Sequence, residues 1–251
     1  MTEARRPERI VALGALSAMG EASLRLYARE GARIVVAGRN EGRLKVVARD
    51  LEARGATSVV TWALDLARPE DADAQLQRMA ASIGGLDGVL LFYGTLGDHA
   101  KAEGCMAEAR HILATNFTSA AEWCLAAAGI IESQGRGTLV VVGSVAGDRG
   151  RQSNYIYGAA KGGLGLLVQG LAHRLAGSGG RAVLIKPGFV DTPMTAGIAK
   201  GGPLWAKPEA VAEIIKRAGK SRPVVYAPGF WRWIMLAIRS VPAPVFHKTR
   251  L

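Results

Sequence analysis

Short apolar runs rich in Val, Ile and Leu alternate along this chain with stretches of helical period, and turn residues separate the two. The first run, residues 10–13, enters Gly14 and gives way to helical periodicity through residue 27; the second, residues 33–37, follows the stop at Glu30-Gly31. The rhythm continues as helix 41–54, strand 58–63, helix 69–82 and strand 85–92. After a loop rich in Gly and Asp come a long helix over 106–133, strand 137–142, helix 155–176 and strand 181–185, which Pro187 closes by removing a donor. A short helix, 209–218, and a strand, 223–227, complete the pattern. Continuous apolar strands between helices are buried on both faces, so the chain is predicted to form an α/β fold, a doubly wound parallel sheet with helices on both faces. In such sheets ligands sit at the carboxyl ends of the strands.

Composition narrows this picture. The chain's 251 residues, 49% hydrophobic, support one sizeable core, and no linker divides them, so 1–251 is read as a single domain. Cys105 and Cys124 match neither a metal-ligand spacing nor a disulfide framework; both are read as packing residues of a cytoplasmic protein, and no metal is expected. The start, MTEARRPERI, passes from charge into an apolar strand without the apolar stretch of an export leader. The net charge of +11 suits phosphates, nucleic acid or an anionic membrane surface. Nucleic acid is not expected as a partner, because neither zinc-finger spacing nor an aromatic and basic strand pair accompanies the charge. Beyond Glu213 there is no acidic residue, whereas Lys216, Arg217, Lys220, Arg222, Arg232, Arg239, Lys248 and Arg250 are all basic.

Candidate chemistry begins at the first strand-to-helix turn, Gly14-Ala15-Leu16-Ser17-Ala18-Met19-Gly20. A tight turn there sets helix N-terminal amides beside a pyrophosphate, and small residues let a cofactor approach the backbone; the plainer alternative is that Gly14 and Gly20 only permit a turn and close packing. The second strand ends in Gly38-Arg39-Asn40. A carboxylate there would accept from a ribose 2′-hydroxyl, whereas an arginine pairs with a 2′-phosphate, so Arg39 favours NADPH over NADH unless it merely faces solvent. Tyr157 and Lys161, four apart, share one helix face, where an ammonium favours a phenolate and draws it toward proton transfer. Ser144 lies thirteen residues earlier at a strand end.

Together Ser144, Tyr157 and Lys161, with Asn116 on the preceding helix and the glycine turn, resemble the short-chain dehydrogenase/reductase family in residue type and spacing. The resemblance covers nearly the whole chain and implies a Rossmann-type sheet and an active NAD(P)-dependent oxidoreductase; a non-catalytic, membrane-peripheral nucleotide-binding protein is the further alternative, against which the intact Ser144, Tyr157 and Lys161 speak. It implies that Tyr157 exchanges a proton with the substrate oxygen, that Ser144 hydrogen-bonds that oxygen, that Lys161 also steadies the nicotinamide ribose, and that Asn116 holds a water in the proton path. Gly14, Leu16, Ser17, Ala18, Met19 and Gly20 would hold the pyrophosphate, Asp65 with Leu66 would meet the adenine, and Gly94 would lie under the cofactor. Pro187, Gly188, Val190 and Thr192 resemble the segment that contacts the carboxamide. Two departures stand out: the middle glycine of the turn is Ala18, and Phe92-Tyr93-Gly94 replaces the family's Asn-Asn-Ala-Gly. His111 and His173 are read as surface or packing residues.

Residues 193–208, with three glycines, are read as a mobile substrate lid, and His99, Met194 and Trp231 as substrate contacts. The extension 229–251 is apolar and basic. The apolar run 230–238 is interrupted only by Arg232 and Ala237; a helix there places Arg232 and Arg239, seven apart, on one edge, and the run is too short to span a bilayer. It could cap the core, join two subunits in a homo-oligomer, lie at the inner face of the cell membrane, or receive a lipidic substrate. The tail and the Phe92-Tyr93 departure resemble the branch of the family that reduces a polyprenylphosphoryl 2-keto-pentose, with a flavin oxidase as partner. Another apolar ketone, of lipid, steroid or hopanoid type, is the competing substrate.

Overall fold

Alternate residues of each central strand enter two different cores. In β1 (Arg9–Leu13), Val11 and Leu13 face one layer and Ile10 and Ala12 the other; β5 (Gly137–Val142) divides in the same way, Leu139 and Val141 against Val140 and Val142. Every one of these side chains is removed from water, which stabilises the fold by about 1.5–3 kcal/mol for each Val, Leu or Ile. The computed structural model describes residues 8–220 and 222–249; the charged start of the chain and Arg250 lie outside them, as does the side chain of Lys220.

The remaining strands of the main sheet are β2 (Arg33–Gly38), β3 (Ser58–Ala63), β4 (Gly88–Leu91), β6 (Gly180–Pro187) and a last one, Val224–Ala227. A two-stranded pair, β7 (Phe189–Val190) with β8 (Trp205–Ala206), precedes it in the chain, so it is β9. All pairings in the main sheet are parallel, in the order β3-β2-β1-β4-β5-β6-β9, with the order reversing between β1 and β4. One face carries α1 (Ala18–Arg29), α2 (Glu41–Ala53) and α8 (Pro208–Arg217); the other carries α3 (Ala72–Ser82), α6 (Ser119–Ser133) and α7 (Tyr155–Leu175). This is the Rossmann-type architecture expected from the alternating runs.

Local chemistry starts the helices where the sequence suggests. Ser17, Asn40 and Asp71 each accept the third amide of the helix that follows, at 2.9 Å, and each such cap contributes about 1 kcal/mol. The expected long helix over 106–133 is instead divided: α5 (Met106–Leu113) passes through a π turn, Ala114–Thr118, into α6. Asn116 accounts for the widening, because its Nδ2 donates to the Ile112 carbonyl at 2.8 Å and competes with the backbone amide for that acceptor. The loop after β4 also holds a short helix, α4 (His99–Gly104), capped by Asp98.

The extension forms two helices rather than one, α9 (Trp231–Ser240) and α10 (Ala243–Phe246). α9 is apolar on two sides. Trp231 and Met235 are buried against Val145, while Phe230, Trp233 and Leu236 are exposed, Trp233 by 65%. The stretch expected to be a lid is partly ordered by strand pairing, since β8 registers Trp205 against Phe189 and Ala206 against Val190.

Candidate active site

At the reversal between β1 and β4 the chain leaves in opposite directions and opens a cleft of about 820 Å³. Gly14, Leu16, Ser17, Arg39, Asp65, Leu66, Gly94 and Met194 line it, all of them singled out by the sequence. Gly14 is required twice over. Its φ of +86° is left-handed, and a Cβ there would lie 2.7 Å from the Tyr93 amide nitrogen. Ala18, Met19 and Gly20 form the first turn of α1; Ser17 Oγ takes the Gly20 amide, which leaves those of Ala18 and Met19 at the same end of the sheet.

Arg43, Arg68, Arg110 and His111 also line the cleft, and the sequence analysis assigned none of them there. His111 thus sits in the cleft wall instead of serving only as a surface or packing residue. For Arg43 a signal was present: it is the third residue after Asn40, in the first turn of the helix that follows the β2 strand end. With Arg39, the three arginines give the cleft a positive field that attracts a polyanion.

Tyr93, which stands where the family has an asparagine, is largely buried with its hydroxyl 2.9 Å from Ser119 Oγ. Burial pushes its phenol up. It serves as a neutral wall of the cleft, fixed from behind.

Behind Gly94 the cleft meets the buried polar groups. A Cβ on Gly94 would lie 2.6 Å from Asn116 Oδ1 and 3.3 Å from Lys161 Nζ, so only hydrogen leaves room for both. Asn116 holds the loop after β4 from both sides, donating to the Thr95 carbonyl at 2.8 Å and accepting from the Thr95 amide at 3.1 Å. Both its amide protons are committed, so any water in a proton path would have to donate to Asn116 and not accept from its side chain.

Tyr157 and Lys161 lie one turn apart on α7, both buried. The Lys161 ammonium donates to the Val142 carbonyl at 3.3 Å, and among the described residues no carboxylate pairs with it. Burial therefore pulls it down to about 8. Burial pushes the Tyr157 phenol up to about 12, and the neighbouring Ser144 hydroxyl works in the opposite direction. A phenol that keeps its proton beside an ammonium poised to stabilise the phenolate is suited to donating that proton.

Ser144 ends β5 and opens a 3₁₀ turn, Val145–Asp148, with its Oγ accepting from the Ala146 amide at 3.1 Å. The turn lies directly on α7: a Cβ on Gly147 would sit 2.7 Å from the backbone of Lys161 and Gly162, and one on Gly158 would sit 2.9 Å from the Ala146 carbonyl. Small residues on both surfaces thus set the spacing between Ser144 and the Tyr157/Lys161 face. Gly147→Ala is expected to destabilise the protein by about 1–3 kcal/mol, because only backbone can yield, and to lower kcat more than it raises KM. Thermal unfolding together with steady-state kinetics checks this.

The other side of that turn rests on the C-terminal extension. Asp148 is fully buried and bound by Lys186 and by the Tyr226 hydroxyl at 2.7 Å. Arg149 Nη1 donates to the carbonyls of Ile238 at 2.5 Å and Val241 at 2.7 Å, closing the end of α9. Trp231 packs on Gly188, where no Cβ would fit, and meets Phe189 edge to face at 5.6 Å. It is a buried prop for the 187–190 segment, not an exposed contact. Pro187 ends β6 and Gly188, Val190 and Thr192 follow it, outside the walls of this cleft; the Thr192 amide donates to Thr195 Oγ1 at 3.2 Å. His99 is similarly occupied: its Nε2 lies 2.8 Å from the Gln152 carbonyl and its ring meets Tyr155 at 4.8 Å, joining α4 to the loop before α7. Cys124 is a buried packing residue with its thiol pushed up to about 12, and no metal-binding cluster occurs among the described residues.

These residues fit a dinucleotide, on the evidence of the Gly14 cradle, the arginine-lined cleft and the buried ammonium that faces Gly94 without a counterion. Comparison with known proteins agrees. Residues 8–202 match the short chain dehydrogenase family. An uncharacterized oxidoreductase of Streptomyces coelicolor is 37% identical over 244 residues, covering 96% of each chain. One from Mycobacterium tuberculosis is 37% identical over 230 residues, covering 91% of each. Among solved structures, a short-chain dehydrogenase from Sphingobium yanoikuyae in complex with NADPH superposes with a TM-score of 0.80 at 22% identity, covering 94% of this chain and 97% of that one. Levodione reductase gives 0.80 at 21% identity, covering 90% and 97%. With its sheet order, its cleft and its buried Tyr157/Lys161 pair, this chain belongs to the short chain dehydrogenase family and is an NAD(P)-dependent oxidoreductase.

Proposed function

We propose that this enzyme uses NADPH to reduce a keto group on a lipid-linked substrate, with decaprenylphosphoryl-2-keto-erythro-pentose reductase as the activity its tail and its Phe92-Tyr93 departure most resemble. The observation that carries this reading is the apolar wall beside Ser144. Phe189, packed on the buried Val145, Trp231 and Met235, stacks on Trp205 at 5.2 Å, and the exposed Met194, Ile198, Leu204 and Phe230 are the apolar side chains open to a ligand. Such a wall favours a hydrocarbon chain over a small polar alcohol.

When bound, the nicotinamide supplies the hydride. The chain's own groups then handle the oxygen: Ser144 Oγ hydrogen-bonds the carbonyl, Tyr157 Oη donates its proton to that oxygen, and Lys161 Nζ stabilises the phenolate left behind. Asn116 keeps the loop after β4 and the helix turn in register. The closed, apolar surroundings exclude water from the reacting oxygen.

Arg39, with Arg43 and Arg68, supports the preference for NADPH, since a 2′-phosphate would meet guanidinium groups and no carboxylate occupies Gly38 or Arg39. Arg39→Asp is expected to lower the ratio of kcat/KM for NADPH to that for NADH by ~10- to 100-fold, the worth of a charge-assisted hydrogen bond plus a new repulsion. Measurement with both cofactors decides it; an unchanged ratio removes Arg39 from the site.

The exposed face of α9, Phe230, Trp233 and Leu236 with Arg232 and Arg239 close by, supports a peripheral contact at the inner face of the cell membrane, near where a flavin oxidase partner would release the keto sugar. No described helix is long and apolar enough to cross the bilayer. Leu113, Phe117, Leu125 and Leu166, exposed on α5 to α7, suit a homo-oligomer. Turnover of a farnesylphosphoryl 2-keto-pentose against plain apolar ketones tests the substrate. Equal or better turnover of a steroid or acyl ketone would favour the competing substrate class.

A further inference from the structure

We propose that the cavity between the 149–152 loop and α10 is a phosphate subsite, holding the anionic group of the lipid-linked substrate while its keto group reaches Tyr157. The proposal rests on the substrate class given above and specifies how that class is recognised.

The cavity has a volume of about 480 Å³ and is lined by Arg149, Arg151, Gln152, Tyr155, Phe246 and His247, among others. No carboxylate is in its wall. The two arginines lie on the chain segment that joins Ser144 to Tyr157.

The two guanidinium groups have different tasks. Arg149 is already committed: it closes the carbonyl end of α9, and its plane lies 3.7 Å above the Phe246 ring. That contact fixes α10 as the far wall. Arg151 is not committed. Its Nε is buried without a hydrogen-bond partner, and among the described residues its side chain forms no ion pair. Burial lowers its affinity for its proton, and the nearby Asp148 charge offsets this only in part.

The nearest carboxylates do not supply Arg151 with a paired anion. Asp148 has both oxygens occupied, by Lys186 and by the Tyr226 hydroxyl. Glu103 is held by the Tyr155 hydroxyl at 3.4 Å and approaches His99. Two guanidinium groups, one of them with an unpaired donor, in a pocket free of acids match a phosphate in charge. A substrate phosphate or a phospholipid headgroup presents that same group, so the test must separate the two sources.

Calorimetric titration with farnesyl phosphate, with farnesol as the uncharged control, reads the site directly. The parent protein is expected to bind farnesyl phosphate and to release it to millimolar inorganic phosphate. Arg151→Gln should weaken that binding by ~10- to 100-fold, and Arg151→Lys should restore part of it. In kinetics, Arg151→Gln should lower the kcat/KM ratio of a phosphate-bearing to a phosphate-free ketone by a similar factor.

Equal affinity of the parent and Arg151→Gln for farnesyl phosphate would overturn the proposal. So would an Arg151→Gln protein that loses adhesion to phosphatidylglycerol vesicles yet binds farnesyl phosphate normally, since the cavity would then take a headgroup. If no ketopentose lipid is reduced while farnesyl phosphate still depends on Arg151, the subsite stands and the proposed substrate falls. If the ketopentose is reduced and Arg151 is irrelevant to it, the substrate stands and the subsite falls.

Discussion

Replacing Lys161 by methionine is expected to abolish reduction while making the cofactor-free protein harder to unfold. Its ammonium is fully buried with a single carbonyl at 3.3 Å for compensation, and burial pulls it down to about 8. A free lysine titrates near ~10.4, so the folded chain holds this proton less well than the unfolded chain does. The native state therefore carries a penalty that is complete below pH 8 and fades as the pH rises toward the unfolded value, because unfolding takes up a proton in that window. Methionine of similar length removes it, with an expected gain of roughly 1–4 kcal/mol, or several degrees in Tm.

The gap between Lys161→Met and the parent should narrow between pH 8 and about 10. Comparing the two proteins isolates Lys161 from Cys124 and Tyr157, whose raised values act in the opposite direction at alkaline pH. Thermal melts across this range decide the matter. A variant that melts earlier than the parent at pH 7 would show that the ammonium is a structural asset.

The second large effect concerns Tyr157. Tyr157→Phe preserves the ring and removes only the hydroxyl, and kcat is expected to fall by about 10³-fold or more with little change in NADPH affinity, the range over which general acid catalysis and polarisation of the oxygen operate together. The phenol is pushed up to about 12, so in the parent it remains protonated throughout the accessible range. Reduction should then show no alkaline limb from this tyrosine below about pH 12, and kcat/KM should decline above about pH 8, where Lys161 loses its charge. The reverse oxidation needs the phenolate, which is scarce at neutral pH, so its rate should climb with pH until Lys161 titrates. Such opposed profiles would explain a preference for reduction through burial alone. Residual activity in Tyr157→Phe near that of the parent would remove the phenol from the reaction.

Both effects depend on how Ser144 and the Tyr157/Lys161 face are held together, and here sequence and structure contributed unequally. The βα rhythm, the glycine turn and the Ser144, Tyr157 and Lys161 spacing were legible because each rests on local periodicity: two for strands, 3.6 for helices, and i to i+4 for one helix face. The strand ends and helix starts were legible for the same reason, through caps such as Ser17 and Asn40. The break in the 106–133 helix was not, since a π turn leaves the apolar pattern intact and arises from one side chain competing for a carbonyl.

The tail shows the limit most clearly. Its composition announced an apolar and basic helix, and any of four partners could have covered it. Only the folded chain assigned Trp231 and Met235 to the interior and Trp233 to the surface, and placed Arg149 at the end of α9. Periodicity shows that a helix has an apolar face. What that face meets depends on contacts between residues almost a hundred positions apart, such as Arg149 and Val241, and no local pattern encodes them.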